Sequence, residues 1–315
     1  MKRVSLLALL GLMLAASSVF AAGSTEKAAS TPQKGPIVVA SKIDTEGSLL
    51  GSMIVELLRA NGFAVKDRTQ FGTTDVIRKA IISGEIDIYP EYTGNGGFFF
   101  PKSPRDVWKN AEAGYQEVKK LDFEKNKLVW LQPAPANNTW AIAARKDFAD
   151  MHNLKTLEDL GSYMSSGGKA KLAASEEFVS RPDALPAFEK AYGFHFASDE
   201  LVTLSGGNTA TTEKAAANGT DGVNLAMAYG TDGQLAALGL VVLTDTKGVQ
   251  PVYNPAPLVR NAIITKYPEI RTILDPVFKT LTLETLQKLN SAIAVDGKNA
   301  KDVARKYLTE KGFLK

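Results

Sequence analysis

Ile86-Asp87-Ile88-Tyr89-Pro90-Glu91-Tyr92-Thr93-Gly94-Asn95 decides how this chain folds. A short apolar run ends in two tyrosines, a proline and a glycine turn. The run reads as a buried strand over 86–88. The rings that follow stand at its C-terminal edge, where open α/β sheets bind ligands. The same order returns at Val223-Asn224-Leu225-Ala226-Met227-Ala228-Tyr229-Gly230-Thr231-Asp232-Gly233. Two strand ends that carry aromatics predict two similar lobes turned toward one ligand.

The segments around the first strand complete its setting. Ile37 to Ala40 is a short apolar strand, and Leu49, Leu50, Met53, Ile54, Leu57 and Leu58 recur at helical spacing after it. Asn61-Gly62 stops that helix, and Phe63 to Val65 is strand-like. A helix over 73–83 ends at Gly84 and leads back to 86–88. The order β-α-β-α-β predicts a parallel sheet covered by helices. A helix near 104–121 and a strand at 128–131 follow, and Asn137-Asn138-Thr139-Trp140 opens the next apolar run, a first crossing between lobes. In the second half, helix 210–217 stops at Asn218-Gly219 before strand 223–228. A helix over 234–238, strands at 240–243 and 257–264, and C-terminal helices with an apolar stripe of Leu283, Leu286, Leu289 and Ile293 return the chain to the first lobe.

The chain has 315 residues, 44% hydrophobic and 23% charged, enough core for two lobes. Lys2 and Arg3, the apolar run Val4 to Leu14 and Val19-Phe20-Ala21 read as a secretory signal peptide over 1–21, too short for a membrane span. Residues 22–35 are small and polar and read as a disordered tether. There is no cysteine, so the core rather than disulfides must hold a secreted chain. Removing Lys2 and Arg3 takes the formal charge from +3 to +1, which offers no basic field for nucleic acid.

Enzyme chemistry finds little support. His152 and His195 are the only histidines and show no metal-ligand spacing. There is no Gly-x-Ser-x-Gly elbow, and Tyr163 and Ala170 break a phosphate-loop pattern around Lys169. Nothing calls for a cofactor. The positive signal is Tyr92, Trp140 and Tyr229, each at the edge of an apolar run. Such rings suit a quaternary ammonium group, which has no N–H to donate and is held by ring faces instead. A carboxylate on the same ligand would want Lys42, Arg181 or the helix starts near Ser48 and Asn208. The same slot also admits an amino acid or another small polar solute.

These segments, with Lys42-Ile43-Asp44-Thr45-Glu46-Gly47 and Leu281 to Asn290, resemble the glycine betaine/choline-type substrate-binding proteins of ABC transporters over 36–312. The resemblance implies a monomeric, two-lobed periplasmic binding protein of type II. Each lobe has a mixed or parallel sheet flanked by helices, and two crossover strands join them. Lobe one is then 36–139 plus 230–315, and lobe two is 140–229. It also implies an aromatic box and delivery to a membrane permease with its ATPase. By motif position Tyr92, Trp140 and Tyr229 are box residues, Lys42 and Arg181 hold a ligand carboxylate, and Asn95 and Thr209 are polar contacts. Gly47 stands where the family commonly has Gln, and no further aromatic occurs at 206–210.

Overall fold

The computed structural model describes residues 34–314; the leader over 1–21 and nearly all of the tether lie outside the described residues. The tether was expected to run to 35, but Lys34 already pairs with Phe63 in the first strand pair. The chain opens with β1 (Lys34–Lys42), α1 (Thr45–Ala60), β2 (Phe63–Gly72), α2 (Thr74–Ser83), β3 (Ile88–Tyr92), α3 (Gly96–Phe99), α4 (Ala111–Asn126) and β4 (Leu128–Trp130). It continues through β5 (Trp140–Arg145), α5 (Lys146–His152), α6 (Leu157–Ser165), β6 (Leu172–Ser175), α7 (Glu176–Ser180), α8 (Leu185–Tyr192), β7 (Leu201–Leu204), α9 (Thr209–Asn218), β8 (Leu225–Tyr229) and β9 (Leu240–Val242). It closes with β10 (Pro255–Arg260), α10 (Asn261–Lys266), α11 (Glu269–Phe278), α12 (Leu283–Ala294) and α13 (Ala300–Glu310).

Ten strands form two five-stranded sheets, in the orders β2-β1-β3-β10-β4 and β7-β6-β8-β5-β9. Position by position the two sheets match. The first three strands are parallel, and the fourth and fifth join antiparallel. Strand β3 is therefore the counterpart of β8, and β10 the counterpart of β5. The repetition expected from the two aromatic strand ends is present in the topology.

Each sheet is covered on both faces, so its central strands are near-continuous apolar runs rather than alternating ones. Ile37 and Val39 of β1 face a core shared with α1, α11, α12 and α13. Val38 and Ala40 face the opposite core, built with α2 and α4. In the second sheet Ile142, Leu172 and Met227 point to a large aromatic core. Ala143, Ala173 and Ala226 point the other way, and these small side chains let the alanine-rich α9 lie close.

Several expected boundaries move. Strand β3 runs from Ile88 through Pro90 to Tyr92, whereas the sequence places a strand over 86–88. Pro90 lies directly opposite Pro257 of β10. Backbone bonds from Arg260 N to Asp87 O (3.1 Å) and Thr93 N to Asn254 O (3.0 Å) set the two-residue alternation of this antiparallel ladder. The two prolines therefore form a non-bonded pair and leave the β3–β10 ladder uninterrupted. Residues 261–266 are helical rather than a continuation of β10, and 234–238 form turns rather than a helix. Leu283, the first member of the expected C-terminal stripe, is exposed, while Leu286 is fully buried.

The second crossing also moves. The expected return to lobe one at 230 is corrected, because β9 pairs with β5 as an edge strand of the second sheet. The chain rejoins the first sheet only at β10. The other connection between the sheets runs from β4 to β5, over 131–139.

Candidate functional site

The C-terminal ends of the parallel strands in both sheets converge on one narrow slot. Lys42, Tyr92 and Asn95 reach it from the first lobe, and Trp140, Arg181 and Tyr229 from the second. Six of the seven residues singled out in the sequence therefore meet in one place. The seventh, Thr209, does not line it. Thr209 is the buried first residue of α9. Asp232, just beyond β8, accepts from Tyr229 N at 2.6 Å. Glu213 sits beside Asp232 with no cation near it. Burial and the neighbouring acid raise its carboxyl far above the usual range and keep it protonated.

The rings form a continuous wall. Trp140 lies opposite Tyr229 in the β5–β8 register. The two rings stack with centroids 6.4 Å apart and planes 18° from parallel. Phe178 backs Trp140 edge-on at 5.5 Å. Tyr92 brings a third ring from across the slot. A fourth, Tyr253, stands two residues before β10 and lies 5.9 Å from Trp140. Gly94 makes room for it, since a Cβ there would fall 2.7 Å from Tyr253 Cδ1. The Tyr253 hydroxyl is buried and has no hydrogen-bond partner among the described residues. Burial raises the phenols of Tyr92, Tyr229 and Tyr253, so all three are neutral at ordinary pH.

Tyr253 was not singled out in the sequence, although the signal was there. It precedes β10 much as Trp140 opens β5, and Tyr92 and Pro255 face each other as Tyr229 and Trp140 do. Placing the return crossing at 230 hid that equivalence.

The cations of the slot are already paired. Lys42 Nζ lies 2.8 Å from Glu91, and both side chains are buried. Lys42 also sits 4.9 Å from the Tyr92 ring centroid. Glu91 is a hub, accepting from Tyr89 Oη (2.8 Å), Tyr92 N (2.7 Å) and Asn95 Nδ2 (2.8 Å). Asn95 turns its oxygen to Arg181 Nη1 at 3.0 Å, a bond that crosses from one lobe to the other. Two carboxylates missed in the sequence, Asp44 and Glu177, also line the slot, one from each lobe. Asp44 caps α1 by accepting from Gly47 N at 2.6 Å, and burial raises its carboxyl. The start of α1 is thus closed by this residue, and neither Ser48 nor Asn208 opens into the slot as expected.

Behind the rings, Glu46 ties the crossings together. It accepts from Tyr92 Oη (3.1 Å), Asn138 Nδ2 (3.0 Å) and Asn290 Nδ2 (2.8 Å). Burial pushes its carboxyl up to about 7. The slot has a volume of only about 30 Å³, room for about two waters, so a solute can enter only if the lobes part. A larger cavity of about 910 Å³ lies between 232–242 and helices α12 and α13, and none of the predicted residues lines it.

His152 packs on Tyr163 and Phe148, and His195 is exposed beside Glu189; neither reaches the slot. Among the described residues no group of three or more His, Cys, Asp or Glu side chains is placed to hold a metal ion. No described helix is long and apolar enough to cross a membrane.

Two matching sheets, two crossings and a ring-walled slot between them define the two-lobed fold of type II periplasmic binding proteins. Residues 35–310 match the substrate-binding domain of ABC-type glycine betaine transport systems, and the chain belongs to that family. It is 58% identical over 280 residues to glycine betaine-binding protein YehZ of Escherichia coli, covering 89% of this chain and 92% of that one. It is 32% identical over 309 residues to a glycine-betaine-binding protein of Pseudomonas aeruginosa, covering 96% of this chain and 94% of that one. The solved apo YehZ structure superposes with a TM-score of 0.65 at 57% identity, over 89% of this chain and all of that one. Lactococcal OpuAC, closed on glycine betaine, shares the fold at 15% identity and a TM-score of 0.59, over 90% of this chain and all of that one.

Proposed function

We propose that this chain captures glycine betaine, choline or a similar small quaternary-amine osmolyte in the periplasm. It then hands the solute, chemically unchanged, as a monomer to the permease and ATPase of an ABC importer. The observation that carries this reading is the slot walled by Tyr92, Trp140, Tyr229 and Tyr253 between the two lobes. Methylated nitrogen cannot be chosen by hydrogen bonds. Ring faces choose it by cation–π attraction of roughly 0.5–2 kcal/mol each when desolvated. The Escherichia coli and Pseudomonas aeruginosa relatives are glycine betaine-binding proteins, which points to the same ligand class.

Titration calorimetry against glycine betaine, choline, carnitine and proline betaine tests it. At least one should bind with a dissociation constant below millimolar. If none does, the osmolyte assignment fails.

A second reading, an amino acid in the same slot, is favoured by one observation. Asp44 and Glu177 line the slot and can accept hydrogen bonds from a primary ammonium, which a quaternary one cannot give. Glycine and proline in the same titrations separate the two readings. Stronger heat from glycine than from glycine betaine would select the second.

A further inference from the structure

Arg181 has almost no donor to spare for a ligand. Its guanidinium is sandwiched between Phe98 and Trp140, 4.2 and 4.6 Å from the ring centroids. Nε and Nη2 donate to the two oxygens of Asp183 at 3.0 and 2.7 Å, a fork-on-fork pair. Nη1 donates to Asn95 Oδ1 at 3.0 Å and to Glu177 Oε1 at 2.9 Å. A ligand carboxylate entering the slot therefore meets a guanidinium whose inward nitrogen is already taken.

Only one of these partners is free to leave. Asp183 is held by two bonds at once. Asn95 is buried and fixed by Glu91 at 2.8 Å. Glu177 has Arg181 as its one side-chain partner among the described residues. It lines both the slot and an outer vestibule of about 280 Å³, which opens between Thr73 and Asp75 on one lobe and Ser180 on the other. Turning its side chain off Arg181 breaks a single side-chain bond.

We propose that Glu177 is a specificity-determining residue that stands in for the ligand carboxylate on Arg181 and, once displaced, turns to the ligand's ammonium. This rests on the reading of the slot as a quaternary-amine site. The exchange conserves charge. One internal pair, Arg181 with Glu177, becomes two pairs, ligand carboxylate with Arg181 and ligand ammonium with Glu177. A zwitterion fits this exchange. A cation without a carboxylate leaves the internal pair standing and gains less. An anion without an ammonium strands Glu177 with no partner in a partly dry site, which is costly. The buried, unpartnered hydroxyl of Tyr253 is a further donor in the same slot.

The test is calorimetry of the wild type and Glu177→Gln with glycine betaine and with choline. Glutamine keeps the shape and still accepts one neutral bond from Arg181. It takes the anion from the ammonium of either ligand, but only betaine regains that loss, because its carboxylate no longer has a charge to displace from Arg181. The ratio of the choline to the betaine dissociation constant should rise about tenfold in the variant, the difference between a charge-assisted and a neutral bond. A common shift for both ligands, as expected if Glu177 merely shapes α7, overturns the inference, and so does a ratio that falls. Binding of neither ligand to the wild type overturns the underlying reading as well, which is a distinguishable failure. A crystal of the wild type with glycine betaine tests the same point without a substitution. The ligand carboxylate should sit on Nη1 with Glu177 turned away, and Glu177 still bonded to Arg181 would contradict the exchange.

Discussion

Trp140 is the residue on which the slot turns. It stacks on Tyr229, leans on Tyr253 and Phe178, and carries Arg181 on its face. It belongs at once to the core of the second lobe and to the wall of the site, so Trp140→Ala removes both a ring and the platform for Arg181. Affinity for glycine betaine should fall at least tenfold by calorimetry, since buried aromatic anchors typically cost 2 kcal/mol or more when truncated. A change below threefold would mean that the ring is only packing. Glu46 makes a different prediction. Its carboxyl is raised by burial to about 7, against about 4.5 in the unfolded chain. The folded state therefore keeps a proton that the unfolded state gives up first. The contribution is fully present below about 4.5 and is lost as pH rises through about 7, on the order of 3 kcal/mol in all. Urea denaturation at pH 5 and pH 8 should show Glu46→Gln losing less stability across that range than the wild type. Parallel losses would contradict it. Most of this residue-scale picture was legible, because rings at strand ends have a positional meaning in an α/β sheet. Asp44 and Glu177 were not legible, since an acid that faces a cleft reads the same in sequence as one that faces solvent.

At the scale of elements, the repeat of helix, glycine, strand and tyrosine was readable from local periodicity and turn residues. The sheet to which a short strand belongs was not. Strand β9 has three residues, and its partner β5 lies about a hundred positions away, so nothing local assigns it. The consequence is mechanical. Residues 230–233 leave β8 and press on α12 of the first lobe. Gln287 Nε2 donates to Gly230 O at 3.0 Å, and Asn290 Nδ2 donates to Thr231 O at 3.1 Å. Gly233 lies so close that a Cβ would fall 1.9 Å from Gln287 O. This contact is a fulcrum between the lobes, and only a hydrogen fits there. Gly233→Ala must pry the segment from the helix. Overpacking of this kind costs about 1–3 kcal/mol, which should lower the urea midpoint visibly. An unchanged midpoint would show that the contact gives way freely.

At the scale of the whole molecule, the slot makes sense only if it opens. Its walls leave room for about two waters, and the Arg181–Asn95 bond spans the lobes. We propose that the solute enters by a hinge motion about the two crossings, the closure typical of two-lobed receptors. On the proposed reading, closure around a ligand would sequester a methylated cation from water among these four rings. The most direct test is a crystal structure of the protein grown with glycine betaine. The trimethylammonium group should lie among Tyr92, Trp140, Tyr229 and Tyr253, with the lobes shut over it. A ligand bound elsewhere, or four rings still packed on one another with the slot unfilled, would contradict the account.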